Sequence, residues 1–191
     1  MKRRLIVMAL LLALLVPGAA RPSSAQDLTD LISLSATVGY DGYYRANSWM
    51  PVRVTLENNG DAVTGRLLVR PETSGNTLTN TFSTPIDLPS GGSQVIFLYV
   101  TARSNADELR VELLDDEGRV LANHDAALRS VRPHDQLYVV VSNATAGLAV
   151  DLSTVNTASN DAVQATWNVD NIPDRAPALE AVNAMLFTDV D

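Results

Sequence analysis

Four of the ten aromatic residues, Tyr40, Tyr43, Tyr44 and Trp49, fall within ten positions of one another. Flat rings presented together on one sheet face stack on sugar rings, while phenol and indole tips bond the sugar hydroxyls. Tyr43, Tyr44 and Trp49 are therefore candidate ligand-binding residues, with a cell-surface glycan as the expected ligand. The competing expectation is that Tyr40 and Trp49 close one end of a hydrophobic core, and solvent exposure of Tyr43 and Tyr44 separates the two. Asp115, Asp116 and Glu117 are adjacent carboxylates of the kind a hard cation such as calcium takes, but the run ends in Gly118, as a solvated hairpin turn also would. Asp189 and Asp191 stand just past an apolar run, the position where open parallel sheets carry their ligand sites. Asp189 is thus the weak candidate for a metal ligand, against the alternative of a cap or loop carboxylate.

The remaining chemistry is sparse. His124 and His134 are the two histidines, no serine sits in a Gly-x-Ser-x-Gly elbow, and there is no cysteine. The turn Ser142-Asn143-Ala144-Thr145-Ala146-Gly147 lacks the spaced glycines that bring backbone against a pyrophosphate. No catalytic residue and no cofactor is expected from these patterns.

The N-terminus carries an address. Lys2, Arg3 and Arg4 precede an unbroken apolar run from Leu5 to Val16, followed by Pro17-Gly18 and a small-residue stretch ending Ser23-Ser24-Ala25. This is the order of a secretory signal peptide, with cleavage expected after Ala25. The run is too short for a spanning helix, which needs about 20 apolar residues. The expected location is extracytoplasmic, and with no cysteine for disulfides the exported domain must be held by its own core. The first 25 residues hold four of the 14 basic residues and none of the 22 acidic ones, so the remainder has ten basic against 22 acidic side chains, a net charge of −12. Such a surface repels phosphate backbones and anionic headgroups, which excludes nucleic acid as an expected partner.

The elements that must position these residues follow from periodicity. Ile32, Leu34, Ala36, Val38 and Tyr40 alternate with Ser33, Ser35, Thr37 and Gly39, as a half-buried strand does. Asp41-Gly42 punctuates it, and Pro51 opens a second alternation with Val52, Val54 and Leu56 inward, ending at Asn58-Asn59-Gly60, which is expected to supply the positive φ of a tight turn. Further short strands are predicted at Arg66 to Arg70, Thr77 to Phe82, Gln94 to Thr101, Glu108 to Leu114 and Arg119 to Arg129, giving an antiparallel sandwich. After Arg132-Pro133 the pattern changes. Leu137 to Val141 is continuously apolar, as in strands covered on both faces. A helix is expected over Ala144 to Leu152, a strand near Val163 to Trp167, a helix from Ala176 to Val182 and a strand from Ala184 to Phe187. This is the start of a doubly wound, flavodoxin-like α/β sheet. The expected organisation is a signal peptide over 1–25, a sandwich over 26–133 and an incomplete α/β segment over 134–191, so the chain is expected to be part of a longer protein.

The segment Val38-Gly39-Tyr40-Asp41-Gly42-Tyr43-Tyr44, with Ser48-Trp49-Met50-Pro51-Val52-Arg53-Val54-Thr55-Leu56-Glu57-Asn58-Asn59-Gly60, resembles the immunoglobulin-like domain of bacterial exported, surface-anchored proteins in which a class I glutamine amidotransferase-like domain follows. Leu137 to Ser142 and Asn183 to Asp191 resemble the first and third strands of that second domain. The resemblance implies a mainly β, immunoglobulin-like sandwich leading into an amidotransferase-like α/β domain, and often a membrane anchor further on. Amidotransferase chemistry needs a cysteine nucleophile, so the fold alone is implied here. The expectation is a non-enzymatic interaction or scaffold module meeting an unknown protein or a glycan at the cell surface, with the membrane reached only through the signal peptide or an anchor outside this sequence. The alternatives are a carbohydrate-binding module using Tyr43, Tyr44 and Trp49, or the N-terminal part of an exported hydrolase or transferase with its active site beyond residue 191.

Overall fold

A computed structural model describes residues 31–73, 80–143 and 160–188. Ala25, Asp189, Asp191 and the helix expected over Ala144 to Leu152 lie outside them. The described chain is mainly β and its first part is antiparallel. Strands β1 (Ile32–Val38), β3 (Trp49–Asn58) and β6 (Ser93–Thr101) form one antiparallel sheet in the order β1-β3-β6. Strands β4 (Val63–Thr73), β5 (Phe82–Leu88), β7 (Ala106–Asp115) and β8 (Val120–Ala127) form a second, ordered β5-β4-β7-β8.

Alternation sets which way each strand faces. On β3, Met50, Val52, Val54 and Leu56 are fully or almost fully buried, and they meet Leu34, Ala36 and Val38 of β1 in register. On the second sheet Leu67, Val69, Leu109, Val111 and Leu113 are buried, and both sets belong to one hydrophobic core. Each such side chain contributes about 1.5–3 kcal/mol on leaving water. The opposite face of β4 and β7 carries Arg70 paired with Glu112 at 2.8 Å and Arg110 with Asp125 at 2.9 Å. These are solvated ion pairs, whose net contribution is small.

The loop between β1 and β3 makes a tight reversal. Asp41 (φ 56°) and Gly42 (φ 80°) form a two-residue turn closed by reciprocal backbone bonds between Tyr40 and Tyr43, both 2.9 Å. Positive φ at both central residues is what an Asp-Gly hairpin supplies. Gly39 is fixed by geometry, since its φ is +55° and a Cβ there would lie 2.5 Å from the Tyr43 carbonyl oxygen. Pro51 is tolerated inside a central strand because β1 has ended beside it, where Gly39 N–H donates to its carbonyl at 2.8 Å.

Several expectations are corrected. Asn58-Asn59-Gly60 has no positive φ. Instead the buried Asn58 amide holds the corner, donating to the Asp61 carbonyl at 2.7 Å and accepting from Gly60 N–H at 2.9 Å. Of the strand expected at Thr77 to Phe82, residues 77–79 lie outside the described residues and Asn80 and Thr81 are not in a strand; β5 begins at Phe82 and runs through Pro85, which lacks an N–H for the ladder and is accepted in an edge strand. The helix expected from Ala176 to Val182 is a 3-10 turn, Ala176–Leu179. Its bonds from Ala178, Glu180 and Val182 each reach the carbonyl three residues back, and Pro177 offers no donor.

Past residue 133, β10 (Gln136–Ser142), β11 (Ala162–Trp167) and β12 (Ala184–Thr188) form a parallel sheet ordered β11-β10-β12. Among the described residues no ladder joins it to the antiparallel sheets. A short parallel pair, β2 (Tyr43–Arg45) with β9 (Arg129–Val131), brings the two ends of the antiparallel part together beside it. The hydrophobic core is nonetheless continuous across residue 133, since Val139, Val141, Ala165 and Trp167 join it.

Candidate functional site

Tyr40 is the pivot of that continuity. Its fully buried ring stacks on Trp167, with centroids 5.4 Å apart and planes 19° from parallel, and its hydroxyl donates to the Ala178 carbonyl. Burial pushes the Tyr40 phenol far above its ordinary range, so it stays neutral as a donor. Arg45 completes the joint. Its guanidinium donates to the carbonyls of Arg132 and Pro133, both at 3.2 Å, to that of Asp135 at 3.0 Å and to Asn183 Oδ1 at 3.4 Å. Asp135, buried, takes Arg132 Nε at 2.8 Å and the Asp161 N–H at 3.0 Å. The Arg132 guanidinium, then the Asp161 backbone, hold its carboxyl below the usual carboxylate range.

The sequence cluster is taken apart by the turn at Asp41-Gly42. Tyr44 is buried, its hydroxyl between the carbonyls of Arg103 (2.6 Å) and Ala106 (2.8 Å), so it has no face to offer a ligand. Tyr43 is half-buried under the Arg129 guanidinium, 5.2 Å from its ring centroid. Trp49 does not close the core with Tyr40: it is 40% exposed and points to the opposite side of β3 from Met50. The three expected residues are therefore not one platform, and Trp49 alone faces solvent freely.

Trp49 instead joins aromatic residues that are remote in sequence. Register pairs Trp49 with Thr101, Pro51 with Tyr99 and Arg53 with Phe97, so Tyr99 and Phe97 share the outer face of the β1-β3-β6 sheet with Trp49. Phe82, at the start of edge strand β5, meets Trp49 edge-on at 6.1 Å and 72°. From the other side comes the segment leading into the 3-10 turn: Asp174 accepts the Tyr99 hydroxyl, and the Arg175 guanidinium lies 5.3 Å from the centre of the Tyr99 ring. Burial, then the bond to Asp174 and its charge, push the Tyr99 phenol up to about 12. Trp49, Phe82, Phe97, Tyr99 and Arg175 wall a groove of about 690 Å³, which Thr81, Ser83 and Thr84 also line. That volume lies in the range of ligand sites, and apolar walls with a few polar groups are their usual lining.

This groove was readable in part. The stretch Val95-Ile96-Phe97-Leu98-Tyr99-Val100 is apolar on both faces of what must be an antiparallel strand, a sign that something covers the outer face as well. No local pattern places Phe82 or Arg175 beside it.

The other candidates have ordinary partners. Asp115 accepts from Arg119 N–H at 2.8 Å and Nε at 2.7 Å, which organises the β7-β8 hairpin, and Asp116 accepts from Thr64 at 2.8 Å, which ties that turn to β4. His124 is half-buried on β8 and His134 is exposed in the connection between β9 and β10. Among the described residues no cluster of His, Asp and Glu is arranged to hold a metal ion, and no helix is long and apolar enough to cross a membrane.

Solved structures with partial likeness include Pseudomonas fluorescens alkylpurine DNA glycosylase AlkC bound to DNA containing an abasic site analog, with 15% identity, 51% of this chain, 30% of that chain and a TM-score of 0.36. A β-glucosidase from Kluyveromyces marxianus gives 11% identity, 51% and 14% coverage and 0.34. A calcium-binding mutant of Bacteroides uniformis β-glucuronidase 2 gives 10%, 78% and 24%, and 0.34. The chain spans less than a third of each of these proteins, and at such scores they transfer neither fold nor function. No curated protein matches the sequence significantly. Residues 31–129, more than half of the chain and all of its two antiparallel sheets, match the family described as domain of unknown function (DUF8726), and the chain belongs to that family.

Proposed function

We propose that this protein is a non-enzymatic, extracytoplasmic interaction module. An immunoglobulin-like sandwich over residues 26–133 carries the recognition surface, and an amidotransferase-like α/β segment from residue 134 is docked rigidly against it. Export rests on the basic, apolar and small-residue order of residues 1–25, with cleavage after Ala25. The observation that carries the recognition role is the groove walled by exposed Trp49 and half-buried Phe82, Phe97 and Tyr99, because a concave apolar surface left open to solvent marks a binding surface. The Tyr40 hydroxyl bond to the Ala178 carbonyl ties the 3-10 turn, whose Pro177 lines the groove, to the antiparallel part of the chain.

The test is retention at a cell surface. The chain exported from a bacterial host, purified and fluorescently labelled, is expected to remain on washed bacterial envelopes. The W49A/Y99A double variant is expected to wash off while still unfolding cooperatively, at a midpoint lowered by loss of the Tyr99–Asp174 bond but above the temperature of the binding assay. Equal retention of both proteins would show that the groove is not the recognition surface.

A further inference from the structure

From the chemistry of the groove we infer its ligand: an oligosaccharide of mostly neutral sugars bearing an isolated carboxylate sugar, a uronic acid, seated on the aromatic wall with its carboxylate against Arg175. This rests on the interaction-module reading and names what that module recognises.

Three observations carry it. First, Trp49, Phe97 and Tyr99 come from adjacent strands on one sheet face, and Trp49 and Phe97 bring apolar ring surface to the groove beside the Tyr99 ring on which Arg175 lies. Second, Thr81, Ser83 and Thr84 are among the residues lining the groove, a source of the donors and acceptors that sugar hydroxyls need. Third, Arg175 is the one charged side chain among the residues lining the groove, and among the described residues no carboxylate forms an ion pair with it. The neighbouring Asp174 is engaged by the Tyr99 hydroxyl. A single cation matches a single carboxylate, which a guanidinium grips in a bidentate fork. It does not match a polyanion, which needs many cations to displace its counterions. The acidic remainder of the surface acts weakly here, because charges beyond about 8 Å are screened at physiological ionic strength.

An extended peptide added to the sheet edge is the competing occupant, and β5 is poorly built for it. Pro85 lies in the middle of that edge strand, so the open side lacks a donor where an incoming strand needs one.

The experiment titrates the full chain with matched pairs of hexose oligosaccharides: neutral cello-, manno- and galactotrioses, and the same trisaccharides carrying one C6-oxidised residue. Binding is followed by calorimetry and by tryptophan emission. The chain has two tryptophans, of which Trp49 lines the groove and Trp167 is buried, so a ligand here changes the emission of the W167F variant and leaves that of W49F unchanged. The expected result is that at least one oxidised trisaccharide binds about tenfold more tightly than its neutral partner, and that Arg175→Gln abolishes this difference while Trp49→Ala removes binding of both. Equal affinity within every pair, or a preference that survives Arg175→Gln, would overturn the carboxylate assignment. If no saccharide binds while envelope retention still depends on Trp49 and Tyr99, the glycan inference fails and the interaction module stands. In that case a strand-forming peptide that protects β5 amides from exchange identifies the other occupant. If retention is also independent of the groove, both fail.

Discussion

Replacing Tyr40 by phenylalanine and by alanine separates the two contributions of the residue on which the C-terminal sheet is docked. Phenylalanine keeps the stack on Trp167 and deletes only the hydroxyl that donates to the Ala178 carbonyl. The carbonyl is then left without its buried donor, which costs about 1–2 kcal/mol. Alanine also removes a ring that is 0% exposed, and truncation of a buried aromatic costs about 3–5 kcal/mol. With a urea slope of about 2 kcal/mol/M for a protein of this size, Tyr40→Phe should lower the midpoint by about 0.5–1 M and Tyr40→Ala by about 1.5–2.5 M. The assay is urea unfolding followed by Trp167 emission in a W49F background, where Trp167 is the sole tryptophan and reports directly on the joint. Equal shifts for the two substitutions would mean the ring contributes nothing beyond its hydroxyl. No shift for phenylalanine would mean that water already serves the Ala178 carbonyl. Either result refutes the picture of a dry, stacked joint.

Gly39→Ala places a side chain at φ +55° and a Cβ 2.5 Å from the Tyr43 oxygen, so it should cost about 2–4 kcal/mol and lower Tm by roughly 5–15 °C in calorimetry. Tyr99 has a folded pKa of about 12, raised by burial and by Asp174, so its contribution to stability is complete below the ordinary tyrosine range and disappears as pH climbs through 12. Spectrophotometric titration, taken as a difference against Y99F, should show this late phenolate, and Asp174→Asn should move it down; a Tyr99 that titrates normally contradicts the closed wall of the groove. Asp135 is shifted the other way, so the stability it lends is present above the ordinary carboxylate range and fades as acid carries it through its lowered pKa. Asp135→Asn should flatten the acid limb of a Tm-against-pH curve, and an unchanged limb would count against the Arg132–Asp135 contact.

How much of this was legible in the sequence depends on whether the signal was local. Period-two alternation in β1 and β3 identified the inward face because register pairs like with like, Leu34 with Leu56 and Ala36 with Val54. The change of grammar at Pro133 corresponds to a change from antiparallel to parallel pairing. The strand expected to end at Phe82 instead begins there and runs on through Pro85, which is acceptable because of edge position, a property of the sheet and not of the strand. The segment from Ala176 to Val182 has helical composition, yet Pro177 and the need to deliver Ala178 to the Tyr40 hydroxyl leave room only for a 3-10 turn. For the site, closeness in sequence misled. Tyr44 and Trp49 are five residues apart and face opposite environments, whereas Trp49, Phe82, Tyr99 and Arg175 converge from four segments. Only the two-faced apolar strand β6 hinted at that convergence.

The connectivity of the joint also dictates an order of assembly. Tyr40 reaches Ala178 across 138 positions, and the β2–β9 pair links Tyr43 to Arg129 across 86. Closing loops of that length in a free chain is entropically unfavourable and slow, but it becomes easy once intervening strands have already folded the ends toward each other. The seat on which Tyr40 and Arg45 receive the last sheet therefore comes into being late, after the antiparallel strands have condensed, and the C-terminal segment must wait for it.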